Sequence, residues 1–145
     1  MHKEIANQDK IIEKSLEILK NNKYIEQFGI EILVVEPRFL KARFKVKDDL
    51  LNPYGSVHGG CLYSVADIIS GTLAGFGGRF CTTVEGSMNF LEKAGDSAYI
   101  YCEAKIVRSG GHLVVIKVKM RNDKEKIIDD GSFTFYKTDV EVLND

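Results

Sequence analysis

The sequence predicts an α+β fold in which one curved antiparallel β-sheet wraps around a single central helix. Three observations support this prediction. Residues 58–76 form one long helical segment that is apolar on most faces. Six strand-like segments flank it, two before and four after, and a charged amphipathic helical segment precedes them all. Because a helix without a broad polar face must be buried, a sheet wrapped around it is the simplest arrangement.

The composition is that of an ordinary globular protein. The 145 residues, 44% hydrophobic and 28% charged, predict one domain spanning residues 1–145. A formal net charge of -1 provides no field that would favour nucleic acid or an anionic membrane. The N-terminal sequence MHKEIANQDK lacks the apolar core of a secretory signal, and the three cysteines form no C-x-x-C pair. We therefore expect a cytoplasmic protein without a metal site or a disulfide.

The first elements are a helix and two strands. Residues 4–22 bring Ile12, Leu16 and Leu19 to one helical face, and we assign residues 1–22 to an N-terminal helix that lies on the domain. Residues 29–35 and 39–46 are predicted strands, joined by a turn at Glu36-Pro37. Apolar and basic residues alternate in the second strand, which is typical of a strand with one buried face.

The central helix and four further strands complete the chain. Apolar residues of the helix recur at intervals of three and four, as at Leu62, Val65, Ile69 and Leu73, and glycines end it at residues 75–78. The strands are predicted at residues 81–91, 98–108, 113–121 and 126–137. Their separators are rich in Gly, Asp and Asn, so we expect short turns and an antiparallel sheet.

The stretch at residues 52–67 combines a loop, a glycine pair and an acid. Gly59 and Gly60 open the central helix and leave the N–H groups of its first turn uncovered, which suits a developing negative charge. Asp67 follows on the same helix among apolar residues. This combination indicates an active site. Two structural interpretations stay open: Asp67 bonding a nearby polar group, and the glycines allowing close helix–strand packing.

Helix geometry separates these two features. With a rise of about 1.5 Å per residue, Asp67 lies roughly 10–12 Å along the axis from the helix start near Gly59. A carbonyl held at that start is therefore out of reach of Asp67 in the same chain. If both groups act on one substrate, a second helix must run antiparallel beside the first, as in a two-fold dimer. The motif thus predicts an active site shared between two protomers.

The order of these motifs resembles that of the hotdog-fold acyl-CoA thioesterases, specifically the PaaI-like branch of the 4-hydroxybenzoyl-CoA thioesterase superfamily. The resemblance covers about residues 29–136. It implies a hotdog fold, hydrolysis of an acyl-CoA to free acid and CoA, and assembly as a homodimer and further as a homotetramer. The matching positions are Asn52, Gly55, His58-Gly59-Gly60, Asp67, Thr82-Thr83-Val84-Glu85, Asn89-Phe90-Leu91, Lys93-Ala94-Gly95-Asp96 and Val107-Arg108-Ser109-Gly110-Gly111-His112.

The resemblance also implies catalytic roles. The amide of Gly59 would polarise the thioester carbonyl, assisted by the side chain of Asn52. Asp67 of the other protomer would act as general base or as nucleophile. Thr83 would orient the attacking water, and His58 would order the loop close to the thioester. Preorganised amides of this kind contribute strongly to oxyanion stabilisation.

The same resemblance implies a binding region for CoA. Gly60 would lie beside the substrate at the helix start. Arg108 and the turn Ser109-Gly110-Gly111 match the region that meets the pantetheine and phosphates of CoA. It implies no metal and no cofactor other than the CoA of the substrate.

Each of these positions also has a plainer interpretation. His58 would cap the helix, Asn52 would form a turn, Thr83 would simply favour a strand, and Arg108 would be solvated. Cys61, three residues after His58, would form a Cys–His nucleophile or merely pack against the sheet.

Two other functions stay open at this point. One is a non-catalytic hotdog protein that binds acyl-CoA or a fatty acid. The other is a hotdog dehydratase acting on 3-hydroxyacyl thioesters, although its Asp–His arrangement does not match the order His58 then Asp67. The acyl group itself is not encoded, because aromatic residues such as Tyr54 and Phe90 suit an aromatic-acyl pocket, a medium-chain pocket and a core equally.

Overall fold

The structure, a computed structural model, describes residues 2–144. Residues 1 and 145 of the predicted domain lie outside this range. The helices are α1 (His2–Lys20), α2 (Lys23–Glu26) and α3 (Gly59–Gly75). The strands are β1 (Glu31–Glu36), β2 (Phe39–Lys45), β3 (Arg79–Phe90), β4 (Tyr99–Ser109), β5 (Leu113–Arg121) and β6 (Ile127–Glu141).

The six strands form one antiparallel sheet in the order β1-β2-β4-β5-β6-β3, which confirms the predicted α+β architecture. Several boundaries differ from the prediction by one to four residues, and two of these differences have a visible structural cause. Strand β6 continues past residue 137 because its last residue, Glu141, still pairs with Arg79 of β3. Helix α1 ends before residue 22 because the side chain of Asn22 accepts a hydrogen bond from Ile25 N and so caps the separate helix α2.

The core lies between α3 and the concave face of the sheet. Helix α3 is apolar on most faces, and the sheet supplies every second residue of its strands to cover it. Side chains that are almost fully buried include Val65, Ile69 and Leu73 from α3 and Ile100, Ile116, Phe133 and Phe135 from the sheet. Burial of these large side chains provides the main stabilisation of the fold.

Helices α1 and α2 cover a further side of α3. A Cβ built on Gly78 would lie 3.4 Å from Ile11, and one built on Gly75 would lie 3.5 Å from Oγ of Ser15. Because the later residue of α1, Ser15, lies beside Gly75, and the earlier one, Ile11, lies beside Gly78 just after α3, the two helices run antiparallel. The hydroxyl groups of Tyr24, in α2, and Ser64 are 2.7 Å apart and extend this contact towards the start of α3. Within residues 2–144, every helix is too short or too polar to span a membrane.

Asp129 is a buried acid on the core face of β6. It is 0% exposed, and neither carboxylate oxygen has a hydrogen-bond partner within residues 2–144. Burial raises the pKa of Asp129 to about 7. Asp129 pairs with Met120 of β5, which pairs with Cys102 of β4, so the three residues form one row across the sheet. Burial also raises the pKa of the Cys102 thiol. Asp129 therefore holds its proton over a pH range in which an exposed aspartate is ionised.

This burial predicts a stability that falls as pH rises. The unfolded chain ionises Asp129 near pH 4, whereas the folded chain keeps the proton up to about pH 7. Between these two pH values the free energy of unfolding falls progressively as pH rises. Above about pH 7 the loss of stability due to Asp129 no longer changes with pH. Asp129→Asn, which cannot ionise, should be more stable than the wild type by up to about 4 kcal/mol at pH 8, with little difference near pH 4.

Denaturant unfolding at several pH values measures this difference. Asp130→Asn, on the opposite face of the same strand, is the matched control. A stability gap between Asp129→Asn and wild type that does not change from pH 4 to pH 8 would contradict the prediction.

Candidate active site

The acid on α3 meets a hydroxyl on the edge strand of the sheet. Asp67 is half-buried, and Thr83 Oγ1 donates a hydrogen bond of 2.6 Å to its Oδ1. Thr83 pairs with Phe135 in the sheet register, and Phe135 is a core residue. The side chain of Thr83 therefore faces α3. Residues 16 positions apart thus form one polar pair at the margin of an apolar core.

One amide is left open at the start of α3. His58 is the N-cap residue, and its Nδ1 accepts a 3.0 Å hydrogen bond from Gly60 N. The carbonyl of His58 accepts from Cys61 N and Leu62 N. Gly59 N has no acceptor within residues 2–144. His58 thus caps the helix. The N–H that this cap leaves free is that of Gly59, the one predicted to polarise the thioester carbonyl.

The loop before α3 is held by Asn52. Its Oδ1 accepts from Tyr54 N at 2.9 Å and Ser56 N at 3.1 Å, which closes a tight turn. The carboxamide oxygen is therefore used within the loop, and the carboxamide NH₂ remains as the group that would contact a ligand. Asn52, Gly59 and Phe90 line one cavity of about 460 Å³.

The two predicted halves of the site lie in different cavities of one chain. Asp67 and Thr83 line a second cavity, of about 240 Å³, that does not include Gly59. Gly59 instead lies under the ring of Phe90, at the far end of β3. This separation agrees with the distance of about 12 Å that eight residues of helix impose.

The predicted CoA-binding turn lies at the end of the sheet where β3 begins. Arg108, Ser109 and Gly111 are exposed, and Gly110 N donates to Leu113 O to close the turn. Lys137 holds this turn, since its ammonium group donates to Gly110 O. In the sheet, Lys137 pairs with Cys81 of β3, which is two residues from Thr83. Lys137 and Arg108 together form a basic rim near this position.

The structure also decides between the two interpretations of Cys61. Burial raises the pKa of this thiol to about 11, so it stays protonated at neutral pH. Nδ1 of His58 already accepts from Gly60 N. A Cys–His nucleophile is therefore wrong here, and Cys61 is a packed core residue.

Sequence reasoning missed two features of the site: Lys137 holds the predicted CoA-binding turn, and Ser15 of α1 lines the cavity of Asp67. Phe90, which the sequence offered as a candidate pocket residue, covers Gly59. A usable signal existed for Ser15 alone: it lies four residues from Ile11 and four from Leu19, so a polar side chain interrupts the apolar face of α1.

Solved structures share this fold. The PaaI protein of E. coli, from the phenylacetic acid degradation operon, superposes with a TM-score of 0.83 at 18% identity, over 90% of this chain and 98% of that one. A hypothetical thioesterase of Streptococcus pneumoniae, solved with coenzyme A, gives a TM-score of 0.75 at 27% identity, over 79% and 90% of the two chains. These likenesses confirm the hotdog fold.

Sequence comparison agrees. A protein of Archaeoglobus fulgidus named "Putative esterase" is 25% identical over 133 residues, which cover 91% of this chain and 86% of that protein. The family model of the thioesterase superfamily matches residues 54–128, slightly more than half of the chain. The match begins in the loop before α3 and spans the helix and the strands that carry the Asp67–Thr83 pair. This chain belongs to the thioesterase superfamily.

Proposed function

We propose that the protein hydrolyses an acyl-CoA thioester to the free acid and CoA, at a site shared across a homodimer. The observation that carries this proposal is the Asp67–Thr83 hydrogen bond at the edge of the sheet, beside a cavity with apolar walls. Membership of the thioesterase superfamily supports the reaction class. The S. pneumoniae thioesterase, 27% identical, was solved with coenzyme A, which supports CoA as the carrier of the acyl group.

The chemistry needs one group that attacks and one that holds the developing charge. One oxygen of Asp67 accepts from Thr83, which fixes the carboxylate and leaves the other oxygen to take a proton from water or to attack directly. Attack forms a C–O bond at the thioester carbonyl, whose oxygen becomes an oxyanion. The open amide of Gly59, at a helix N-terminus, would stabilise that charge. The C–S bond then breaks, and on the general-base route the leaving thiolate of CoA takes up the proton that Asp67 removed from water. On the direct-attack route, the thiolate takes a proton from solvent, and a water molecule then hydrolyses the acyl–Asp67 anhydride to release the free acid.

The topology explains how a dimer would join the two halves. Helix α3 starts beside Phe90, at the end of β3, and leads through Gly78 into Arg79, at the start of β3. The helix and the strand are therefore antiparallel. Strand β3 lies at the edge of the sheet and has one free side. Edge strands of this length invite pairing with another chain.

A two-fold axis near Gly86, midway along β3, would pair this strand with its copy. That rotation brings the Phe90 end of the partner, with its open helix start, opposite Thr83. Asp67 of one protomer would then face Gly59 of the partner subunit. The basic rim formed by Arg108 and Lys137 lies near the start of β3, the end that carries Thr83 of the same protomer. Its positive charge there suits the phosphates of CoA. Two such dimers would form the expected homotetramer.

The Asp67–Thr83 pair predicts a graded loss of activity. Asp67→Asn should lower kcat/KM by about 10²–10⁴-fold, as expected for loss of a general base. Thr83→Ala should lower it by about tenfold, since the carboxylate loses the bond that orients it, and Thr83→Ser should restore most of the activity. Thr82→Ala, the exposed neighbour, is the matched control. Folded Asp67→Asn that hydrolyses a panel of acyl-CoA substrates at the wild-type rate would contradict the proposal.

A second prediction concerns the open amide. Gly59→Pro removes this N–H, and proline is tolerated at the first residue of a helix. The backbone of His58 (φ -59, ψ 135) already suits a following proline. Activity should fall by about 10²–10³-fold, the usual cost of losing one oxyanion donor. Gly59→Ala keeps the N–H, and its Cβ would meet Phe90 at an ordinary 3.6 Å, so it should stay within a few-fold of wild type. Equal losses in both variants would indicate a packing effect instead.

Mixing the two inactive variants tests whether the site is shared. In a hybrid dimer of Asp67→Asn and Gly59→Pro, one site carries both lesions and the other carries neither. Random reassembly should restore about one quarter of wild-type activity, because half of the dimers are hybrids with one working site each. A site contained within one chain would show no recovery. Light scattering of the mixture measures whether dimers or tetramers are present.

A further inference from the structure

The cavity at Asp67 and Thr83 extends away from this pair along α3, beneath α1 and α2. Its residues on α3 run from Asp67 to Gly75, a distance of about 12 Å along the helix. Its walls are mostly apolar: Ile18, Leu19, Ile25, Ile68, Phe80 and Phe135. An acyl group whose thioester lies at Asp67 would therefore extend into this slot.

A single polar side chain of α1 marks the far end of the slot. Ser15 lies beside Gly75, is only 7% exposed, and lines the cavity. Its Oγ has no hydrogen-bond partner within residues 2–144. A serine inside a helix commonly bonds to the carbonyl four residues earlier, but this one does not. A buried hydroxyl without a partner is destabilising unless a ligand satisfies it.

The other hydroxyl and thiol groups of the cavity are already committed as donors. Thr72 and Cys81 donate to backbone carbonyls, and Thr83 donates to Asp67. The hydroxyl of Ser15 is thus the uncommitted donor among the described residues that line this slot.

Building on the proposed function, we propose that Ser15 selects acyl groups that carry a hydroxyl or carbonyl oxygen at the end remote from the thioester. The volume limits their size. A cavity of roughly 150 Å³ holds a benzene molecule, so about 240 Å³ has room for about ten non-hydrogen atoms. The substrate class is therefore a medium-length oxygenated acyl-CoA.

The test compares 8-hydroxyoctanoyl-CoA with octanoyl-CoA as substrates. Wild type should prefer the hydroxylated ester by about five- to tenfold in kcat/KM, mainly through KM, which is the size expected for one added hydrogen bond. Ser15→Ala should lose this preference. Ser70→Ala is the matched control, because Ser70 is also a buried hydroxyl without a partner but does not line the cavity. It should keep the preference.

Calorimetric binding of both esters to Asp67→Asn, with and without Ser15→Ala, separates this inference from the proposed function. A Kd preference that depends on Ser15 supports the inference, even if the wild type hydrolyses neither ester and the proposed function fails. Equal Kd values, a preference unchanged in Ser15→Ala, or no binding of either ester overturns it, even if hydrolysis itself is confirmed.

Discussion

A helix that is apolar on most of its faces must be covered on most of its faces, and α3 imposes this requirement on the whole chain. The concave face of the sheet covers one side with residues such as Phe133 and Ile116, and α1 with α2 covers another. The charged side chain of α3 is therefore confined to the margin that neither layer closes. Asp67 lies on that margin, so its position follows from the packing of the core, and Thr83 on the edge strand is within reach as its partner.

The antiparallel course of α3 and β3 then decides how the chemistry is divided. The helix start lies beside Phe90 and the acid lies beside Thr83, so the two ends of β3 carry the two halves of the proposed site. A two-fold axis that crosses β3 near its middle would place the Phe90 end of one protomer opposite the Thr83 end of the other. In the proposed dimer, the free edge that would otherwise be open to non-specific pairing is the means of assembling the site. In this view assembly is part of the catalytic geometry, since the axial distance within α3 is set by helix rise.

The sequence predicted the regular elements well because their signals are local. The apolar period of α3 and the alternation of β5 identify these elements to within one residue at each end. Helix α2 was missed because four residues carry no period, and its cap, Asn22, was assigned to the preceding helix. Motif resemblance named two residues, Asp67 and Thr83, that the fold brings into hydrogen-bond contact, but it did not describe that bond. That Gly60 N is taken by His58 and that Asn52 Oδ1 closes its own loop depend on three-dimensional geometry.

The sequence alone determined that one apolar helix is enclosed by an antiparallel sheet, and that its open start and its acid are too far apart to act together in one chain. Both conclusions depend on periodicity and helix rise, which are properties of the backbone. Only the tertiary structure decided which amide of the first turn is free, that Thr83 orients Asp67, and that Ser15 lines the slot beyond them. These facts depend on contacts between residues distant in sequence, such as Ser15 beside Gly75, and no local pattern encodes such a contact.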